Sequence, residues 1–220
     1  MGLHLNYEFR LPGSATSEFA DQMLDQLRAS ALQQDFEEVS RVVGPRNTPP
    51  RDGWDAALSM WAEIIANPYD EDEPPLPGDP TTARAFFTNP GRGCETASFG
   101  FLRRADEQGG QSEWFWHYSC KTQYASVLGD DHLVKCHVGL VAVLDRAIQL
   151  GIDVVVHDET HYWETRDRSR LLSEVAQMNR IVACFAGALD DALGENLGDH
   201  KVQASIFEHP RFERLEMGDE

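Results

Sequence analysis

Apolar and polar residues alternate with a period of two in two segments near the middle of the chain. The apolar positions are Ala97, Phe99 and Phe101 in the first segment and Trp114, Trp116, Tyr118 and Cys120 in the second. This period predicts two half-buried β-strands. Residues 105–112 between them are polar and rich in glycine, which predicts a hairpin loop longer than two residues.

The aromatic side chains set the expected register of this hairpin. Directly opposed residues of an antiparallel pair share a sheet face, so a slip of one residue would separate the rings. We therefore expect Phe101 opposite Trp116 and Phe99 opposite Tyr118. The other face then carries a polar row, with Thr96 opposite Lys121, Ser98 opposite Ser119 and Gly100 opposite His117.

Similar patterns predict the elements on either side of the hairpin. Strands are expected at 3–11, 36–43, 83–88 and 152–157, and helices at 17–33, 53–66, 132–150 and 167–193. The strand at 3–11 alternates most cleanly, and the helix at 132–150 is apolar around most of its circumference, which indicates burial. Two β-α-β units result, one at 3–43 and one at 113–157.

These elements predict an α+β fold, with a mainly antiparallel sheet and helices packed on one face. Ferredoxin-like β-α-β units plus additions are the expected topology. The divisions are an N-terminal β-α-β-α unit (1–66), an acidic proline-rich loop (67–81), a β-hairpin/β-α-β-α unit (82–194) and a tail (195–220) that could add an edge strand at 202–207. We expect one compact globular body, whose polar sheet face is open unless the helix at 53–66 or the tail covers it.

Charge narrows the classes of partner. The chain has 37 Asp and Glu against 19 Lys and Arg, a net charge of −18, which disfavours nucleic acid. A basic protein partner is compatible with this charge, as is a role in solubility alone. The four cysteines form no CxxC pair, and no apolar run approaches 18 residues, so we expect a reduced, cytoplasmic protein outside the membrane. A homo-oligomer stays open.

The polar row of the hairpin is the first candidate site. Its members are Thr96, His117, Lys121 and Gln123, with Arg92 and Glu95 at the edge. A lysine and a histidine on a partly covered sheet could bind an anionic ligand or perform acid–base chemistry at neutral pH. The alternative is the solvated outer face of a sheet. Cys120 is expected to be a core residue, because alternation points His117 and Lys121 away from it.

The second candidate site follows the strand at 152–157. It consists of His157, Asp158, Glu159 and His161. The H-x-x-x-H spacing resembles that of a zinc helix only superficially, because Asp158 stands beside the first histidine and the segment follows a strand. We therefore expect no metal here; the alternative is a solvated or hydrogen-bonded loop.

No local motif names a chemistry. The chain lacks a phosphate-binding loop, a dinucleotide fingerprint and a nucleophile elbow, and the sequence predicts no cofactor. The leading hypothesis is an acidic cytoplasmic binding or regulatory protein that contacts a protein partner. The alternative is a small enzyme or small-ligand binder that uses the polar face around His117, Lys121 and Gln123, or the loop from His157 to His161.

Overall fold

The segments with period-two patterns form strands and those with helical spacing form helices. A computed structural model describes residues 2–44, 53–66, 80–104, 113–193 and 204–217. The strands are β1 (Leu5–Leu11), β2 (Glu38–Val39), β3 (Pro80–Asn89), β4 (Ala97–Arg104), β5 (Trp114–Cys120) and β6 (Asp153–Asp158). The helices are α1 (Ser17–Ala31), α2 (Gly53–Ala66), α3 (Asp130–Gln149), α4 (Tyr162–Thr165), α5 (Arg168–Leu193) and α6 (Phe212–Met217), with 3-10 helices at Gln123–Leu128 and Ser205–Glu208.

The strands form one antiparallel sheet in the order β2-β3-β4-β5-β1-β6, which confirms the α+β class. Strand β1 pairs antiparallel with both β5 and β6, so β5 and β6 run parallel to each other on either side of it. The unit β5-α3-β6 therefore forms with β1 inserted between its strands. The unit that begins with β1 differs, because β2 has only two residues and lies at the far edge of the sheet. The ferredoxin-like topology stays a prediction.

The first face of the sheet carries the aromatic core, beneath α1 and α3. The rings of Tyr7, Phe9, Phe86 and Phe99 pack with centroids 5.2 to 6.2 Å apart. Helix α1 begins where the Thr16 hydroxyl accepts a hydrogen bond from the Phe19 amide, as a capping residue does. Its apolar stripe, Ala20, Met23, Leu24, Leu27 and Ala31, is buried against this core.

Helix α2 packs on the second face, so helices lie on both sides of the sheet. Trp54 stacks on Phe87 of β3 with ring centroids 5.2 Å apart, and Trp61 donates a hydrogen bond from Nε1 to the His117 carbonyl of β5. The polar face is therefore half covered. Beneath α2, Ser98 and Gly100 of β4 are buried, whereas the side chains that β1 and β6 direct to this face stay accessible.

The hairpin register is confirmed at the loop end, where Leu102 pairs with Phe115. Further along, the ladder opens, and the Ser98 carbonyl accepts hydrogen bonds from Tyr7 Oη (2.6 Å) and Trp116 Nε1 (3.2 Å). These two side chains occupy the place of a backbone partner. The strands meet again where the Glu95 amide donates to the Lys121 carbonyl at 2.8 Å, one residue out of the Leu102–Phe115 register.

Several expectations fall at the margins of the described chain. The acidic loop is described only from Pro80 onward, and the hairpin loop at 105–112 lies outside the described residues. The tail could have added an edge strand at 202–207, but residues 205–207 belong to the 3-10 helix Ser205–Glu208, while 202 and 203 lie outside the described residues. Among the helices that the structure describes, none combines the length and apolar character needed to cross a membrane.

Candidate functional site

The two candidate sites lie at the same end of the sheet. Because β5 and β6 are parallel, their carboxyl ends meet there, with the start of β1 between them. The Leu3 amide donates to Gln123 Oε1 at 2.9 Å, and the His4 amide donates to Glu159 Oε2 at 2.7 Å. We call this region, residues 2–4, 92–96, 119–126 and 157–161, the sheet end.

Glu95 and Lys121 form the charged contact of the sheet end. Glu95 Oε1 lies 3.2 Å from Lys121 Nζ, and Glu95 Oε2 accepts a hydrogen bond from the Lys121 amide at 3.0 Å. The register shift of the hairpin creates this pair, because the unshifted register would place Thr96 opposite Lys121. Thr96 is half-buried just before β4, and the His117 side chain is exposed on β5.

Arg92 lies in the turn that precedes Glu95, and its side chain is exposed. Contacts of its backbone amide and carbonyl fix the position of the residue. Its amide donates to Glu37 Oε1 at 3.0 Å, and its carbonyl lies 2.9 Å from His132 Nε2. Gly93 has φ of 84°, and a Cβ there would lie 2.5 Å from the Tyr124 carbonyl oxygen. The turn thus packs so closely on residues 123–128 that only glycine fits.

The turn, the 3-10 helix at Gln123–Leu128 and Glu208 border a half-open cavity of about 360 Å³, which we call the Arg92 pocket. Its lining residues are Arg92, Gly93, Cys94, Glu95, Lys121, Tyr124, Val127, Leu128 and Glu208. Burial raises the pKa of Tyr124, so the phenol is neutral and can donate a hydrogen bond. The pocket therefore combines two cations, two carboxylates and an apolar wall in a volume suited to a small molecule.

Asp158 belongs to a buried network instead of an open site. Asp158 Oδ2 lies 3.1 Å from His137 Nε2, His137 Nδ1 lies 2.9 Å from Thr122 Oγ1, and Thr160 Oγ1 donates to Asp158 Oδ1 at 2.7 Å. We call these four residues the His137 network. None is more than 3% exposed. A hydroxyl, an imidazole and a carboxylate in series suit proton transfer, but no substrate reaches this one, so it holds β5, α3 and β6 together.

The His137 network changes the acidity of Asp158. Burial alone would raise the pKa of its carboxyl, but hydrogen bonding and charge interaction with His137, together with hydrogen bonds from Thr160, outweigh burial and lower the pKa to about 2. The carboxylate is thus ionised across the physiological range. A buried ionised carboxylate with this many donors is a structural anchor.

The other predicted residues separate into buried and exposed ones. Gln123 is fully buried and donates from Nε2 to Asn179 Oδ1 at 2.8 Å, so it is not part of the polar face. Glu159 is half-buried against the His4 backbone. His157 and His161 are exposed; because β6 ends at Asp158, they do not share a helical face.

Sequence patterns missed the residues that connect the sheet end to α3. His137 lies between Cys136 and Leu140 on the buried side of α3, and a polar residue inside an apolar helical stripe is the signal that could have found it. His132 and Cys136 lie four residues apart, so the predicted helix already places them on one face. Their contacts with the turn at 90–94 depend on tertiary packing: His132 Nε2 lies 2.9 Å from the Arg92 carbonyl oxygen, and Cys136 Sγ lies 3.3 Å from the Pro90 carbonyl oxygen.

Within the part of the chain that the structure describes, no group of three or more His, Cys, Asp or Glu side chains could hold a metal ion. Comparison of the chain with protein-family models, with curated proteins and with solved structures finds no match. The Arg92 pocket must therefore be interpreted from its own chemistry.

Proposed function

We propose that the protein binds a small zwitterionic molecule, with the chemistry of a free amino acid, in the Arg92 pocket. One observation carries this proposal: folding brings Arg92, Glu95 and Lys121 into the wall of one cavity of about 360 Å³. In the sequence, Arg92 and Glu95 belong to a turn before the hairpin loop, and Lys121 belongs to the predicted strand after it. Their convergence at a pocket supports a ligand more than it supports a solvated sheet face.

The charge balance of the pocket favours a ligand with two opposite charges. Lys121 is already paired with Glu95, which leaves Arg92 for a carboxylate and Glu208 for an ammonium group. A zwitterion has no net charge, so the field of a chain with a net charge of −18 does not repel it, as it would repel a simple anion. Tyr124, Val127 and Leu128 offer an apolar surface to the rest of the molecule.

Three related probes test this proposal by isothermal titration calorimetry: phenylalanine, hydrocinnamate, which lacks the amine, and phenethylamine, which lacks the carboxylate. We expect phenylalanine to bind most tightly, and Arg92→Gln to weaken it about tenfold or more, the loss of one charge-assisted contact. Arg92→Gln should not weaken phenethylamine, and Glu208→Gln should not weaken hydrocinnamate.

Lys135 provides the matched control for Lys121. Both lysines lie 3.2 Å from a carboxylate, Lys121 from Glu95 and Lys135 from Asp35, but only Lys121 lines the pocket. We expect Lys121→Met to weaken the binding of phenylalanine, because it leaves the Glu95 carboxylate unpaired in the pocket, where it repels the carboxylate of the ligand. Lys135→Met should leave the binding of phenylalanine unchanged. Equal binding of all three probes, or equal loss in both lysine variants, would contradict the proposal.

A second candidate is an acidic protein that binds a basic protein partner. The net charge supports it, as does a row of acids along the outer side of α1, where Glu18, Asp21 and Asp25 border one shallow groove. Asp21 already pairs with Arg84, so Glu18 and Asp25 would make the contact. The accessible half of the second sheet face carries mixed charges and suits a basic partner less well.

Ionic strength tests this second candidate. Contacts between exposed charges are screened over about 8 Å at physiological salt, so a partner captured at low salt should dissociate steeply as salt rises. The variant Glu18→Gln/Asp25→Asn should lose most of that dependence. A captured partner whose affinity stays constant between low and high salt would exclude an electrostatic contact.

A further inference from the structure

Strand β6 forms one edge of the sheet. Among the described residues, it pairs with β1 and with no other strand. The strand at the opposite edge, β2, has only two residues, and a very short edge strand is one way in which proteins prevent pairing with other chains. Strand β6 has six residues and contains neither proline nor lysine. It therefore lacks the usual features that protect an edge.

The pairing of β6 with β1 determines which backbone groups of β6 point outward. Next to the last pair of this ladder, the Glu159 amide donates to the His4 carbonyl at 3.0 Å. Every second residue of an antiparallel strand bonds to the same neighbour, so the odd-numbered residues of β6 bond to β1. The N–H and C=O groups of Val154 and Val156 therefore point away from the sheet, where a further strand could pair with them.

The side chains of β6 are apolar at the centre of the strand and ionisable on either side of it. Val155 is 55% exposed, and it lies between the exposed residues Asp153 and His157 on the second face of the sheet. Val154 and Val156 are half-buried on the first face. An exposed edge strand rich in β-branched residues is a site at which another strand can add to a sheet.

We propose that β6 pairs antiparallel with β6 of a second copy of the chain, so that the two six-stranded sheets become continuous across a twofold axis. The segment DVVVH at 153–157 is complementary to itself in this arrangement. With Val155 on the axis, it lies opposite Val155 of the second copy, and Val154 lies opposite Val156. Asp153 then lies opposite His157, so each acidic group faces an imidazole.

The backbone groups and the charges favour this register over the adjacent ones. Each Val154–Val156 pair can exchange two N–H···O bonds, because both residues point outward. An axis at Val156 would instead place Asp153 opposite Glu159, and it would require the Asp158 carbonyl, which already accepts from the His161 amide at 2.9 Å. An axis at Val154 would separate the acid from the imidazole.

The expected dimer is weak, because one strand pair forms a smaller contact than the standard interface of about 1,600 Å². Two copies with a net charge of −18 each also repel one another, and salt screens this repulsion. We therefore expect a dissociation constant on the order of 10 µM at physiological salt. The Arg92 pocket and the groove on α1 contain no residue of β6, so dimerisation is independent of both functions proposed above.

Sedimentation equilibrium of the full chain, with charge exchange at the edge, tests the proposal. His157→Asp places two carboxylates opposite each other at both ends of the segment, so it should weaken the dimer about tenfold or more. The exchange variant Asp153→His/His157→Asp restores both pairs in reverse and should recover most of the affinity. His117→Asp is the matched control, because His117 is exposed on β5 and lies outside β6; we expect it to leave the dimer unchanged.

Crosslinking tests the position of the twofold axis. In a chain that carries Cys184→Ser, which removes the exposed cysteine of α5, Val155→Cys should form a covalent dimer on oxidation with diamide. The two Cα atoms at a non-hydrogen-bonded pair lie about 4.5 Å apart, within the range that a disulfide spans. Asp153→Cys, which would lie opposite residue 157 of the second copy, should crosslink much less.

Three results would overturn the proposal. The first is a chain that stays monomeric at all concentrations, whose edge would then be open to an extended segment of a different protein. The second is a dimer that His157→Asp leaves unchanged or that the exchange variant fails to recover, and the third is equal crosslinking at residues 153 and 155. Circular dichroism of each variant shows that the fold is retained, which is expected because all the substituted residues are exposed.

Discussion

Asp158→Asn should lower the free energy of unfolding by about 3 to 5 kcal/mol at neutral pH, because it leaves His137 without its charged partner in a buried network. Asp158 also accepts from the Trp163 amide at 2.9 Å and from the Thr160 amide at 2.9 Å, so the change weakens the connection between β6 and the segment that follows. Urea unfolding followed by circular dichroism measures the loss.

The stability difference between the native chain and Asp158→Asn should depend on pH, in a direction that the pKa of Asp158 determines. The pKa of Asp158 is about 2 in the folded chain against an ordinary value of 3.8. A carboxyl whose pKa is lower in the folded chain than in the unfolded chain stabilises the fold at pH values above its unfolded-state pKa. This contribution to the free energy of unfolding is lost as the pH falls from about 4 to about 2. A shift of this size corresponds to about 2 kcal/mol, so the difference in stability between the native chain and the variant should narrow by that amount.

Asp145→Asn is the matched control. Asp145 also pairs with a cation, Arg166, through two hydrogen bonds of 2.7 and 2.9 Å, but both side chains are about two-fifths exposed. An exposed pair contributes at most about 1 kcal/mol. If Asp145→Asn costs as much as Asp158→Asn, or the pH dependence is the same in the native chain and Asp158→Asn, the network does not anchor the sheet end.

Local patterns in the sequence were sufficient for the elements and for part of the sheet. Alternation over Leu5–Leu11 identifies β1, because a period of two can be recognised within the segment itself, whichever residues its apolar side chains pack against. The pairing of Leu102 with Phe115 was predictable because it follows from the alignment that places the rings of Phe101 and Trp116 opposite each other. Both depend on residues close together in sequence.

The shift that pairs Glu95 with Lys121 depends on a distant strand. Tyr7 Oη of β1 reaches across β5 to the Ser98 carbonyl, and nothing in the hairpin sequence indicates this bond. Helix α2 shows a similar limit, because its apolar stripe requires burial but does not specify which sheet face it covers. The two candidate sites lie at the same end of the sheet because β1 lies between β5 and β6. This strand order could not be predicted from local patterns and is known only from the complete topology.

Phe99→Ala should destabilise the fold by about 4 kcal/mol, the usual cost of removing a buried phenylalanine from a packed core. Phe99 is fully buried, and its ring packs on Tyr7, Phe9 and Phe86 with centroids 5.3, 6.2 and 5.2 Å away. These rings come from three strands, so the cavity would loosen β1, β3 and β4 together. Urea titration of the variant measures the cost.

Phe115→Ala on the neighbouring strand tests whether the cost comes from the first face. Phe115 lies opposite Leu102 on the second face and is only half-buried, so its loss should cost about 1 kcal/mol, half or less of a fully buried ring. The aromatic core that α1 and α3 cover would then carry the stability of the sheet. Equal costs for the two variants would mean that both faces contribute alike, and the division of the sheet into a core face and a half-covered face would be wrong.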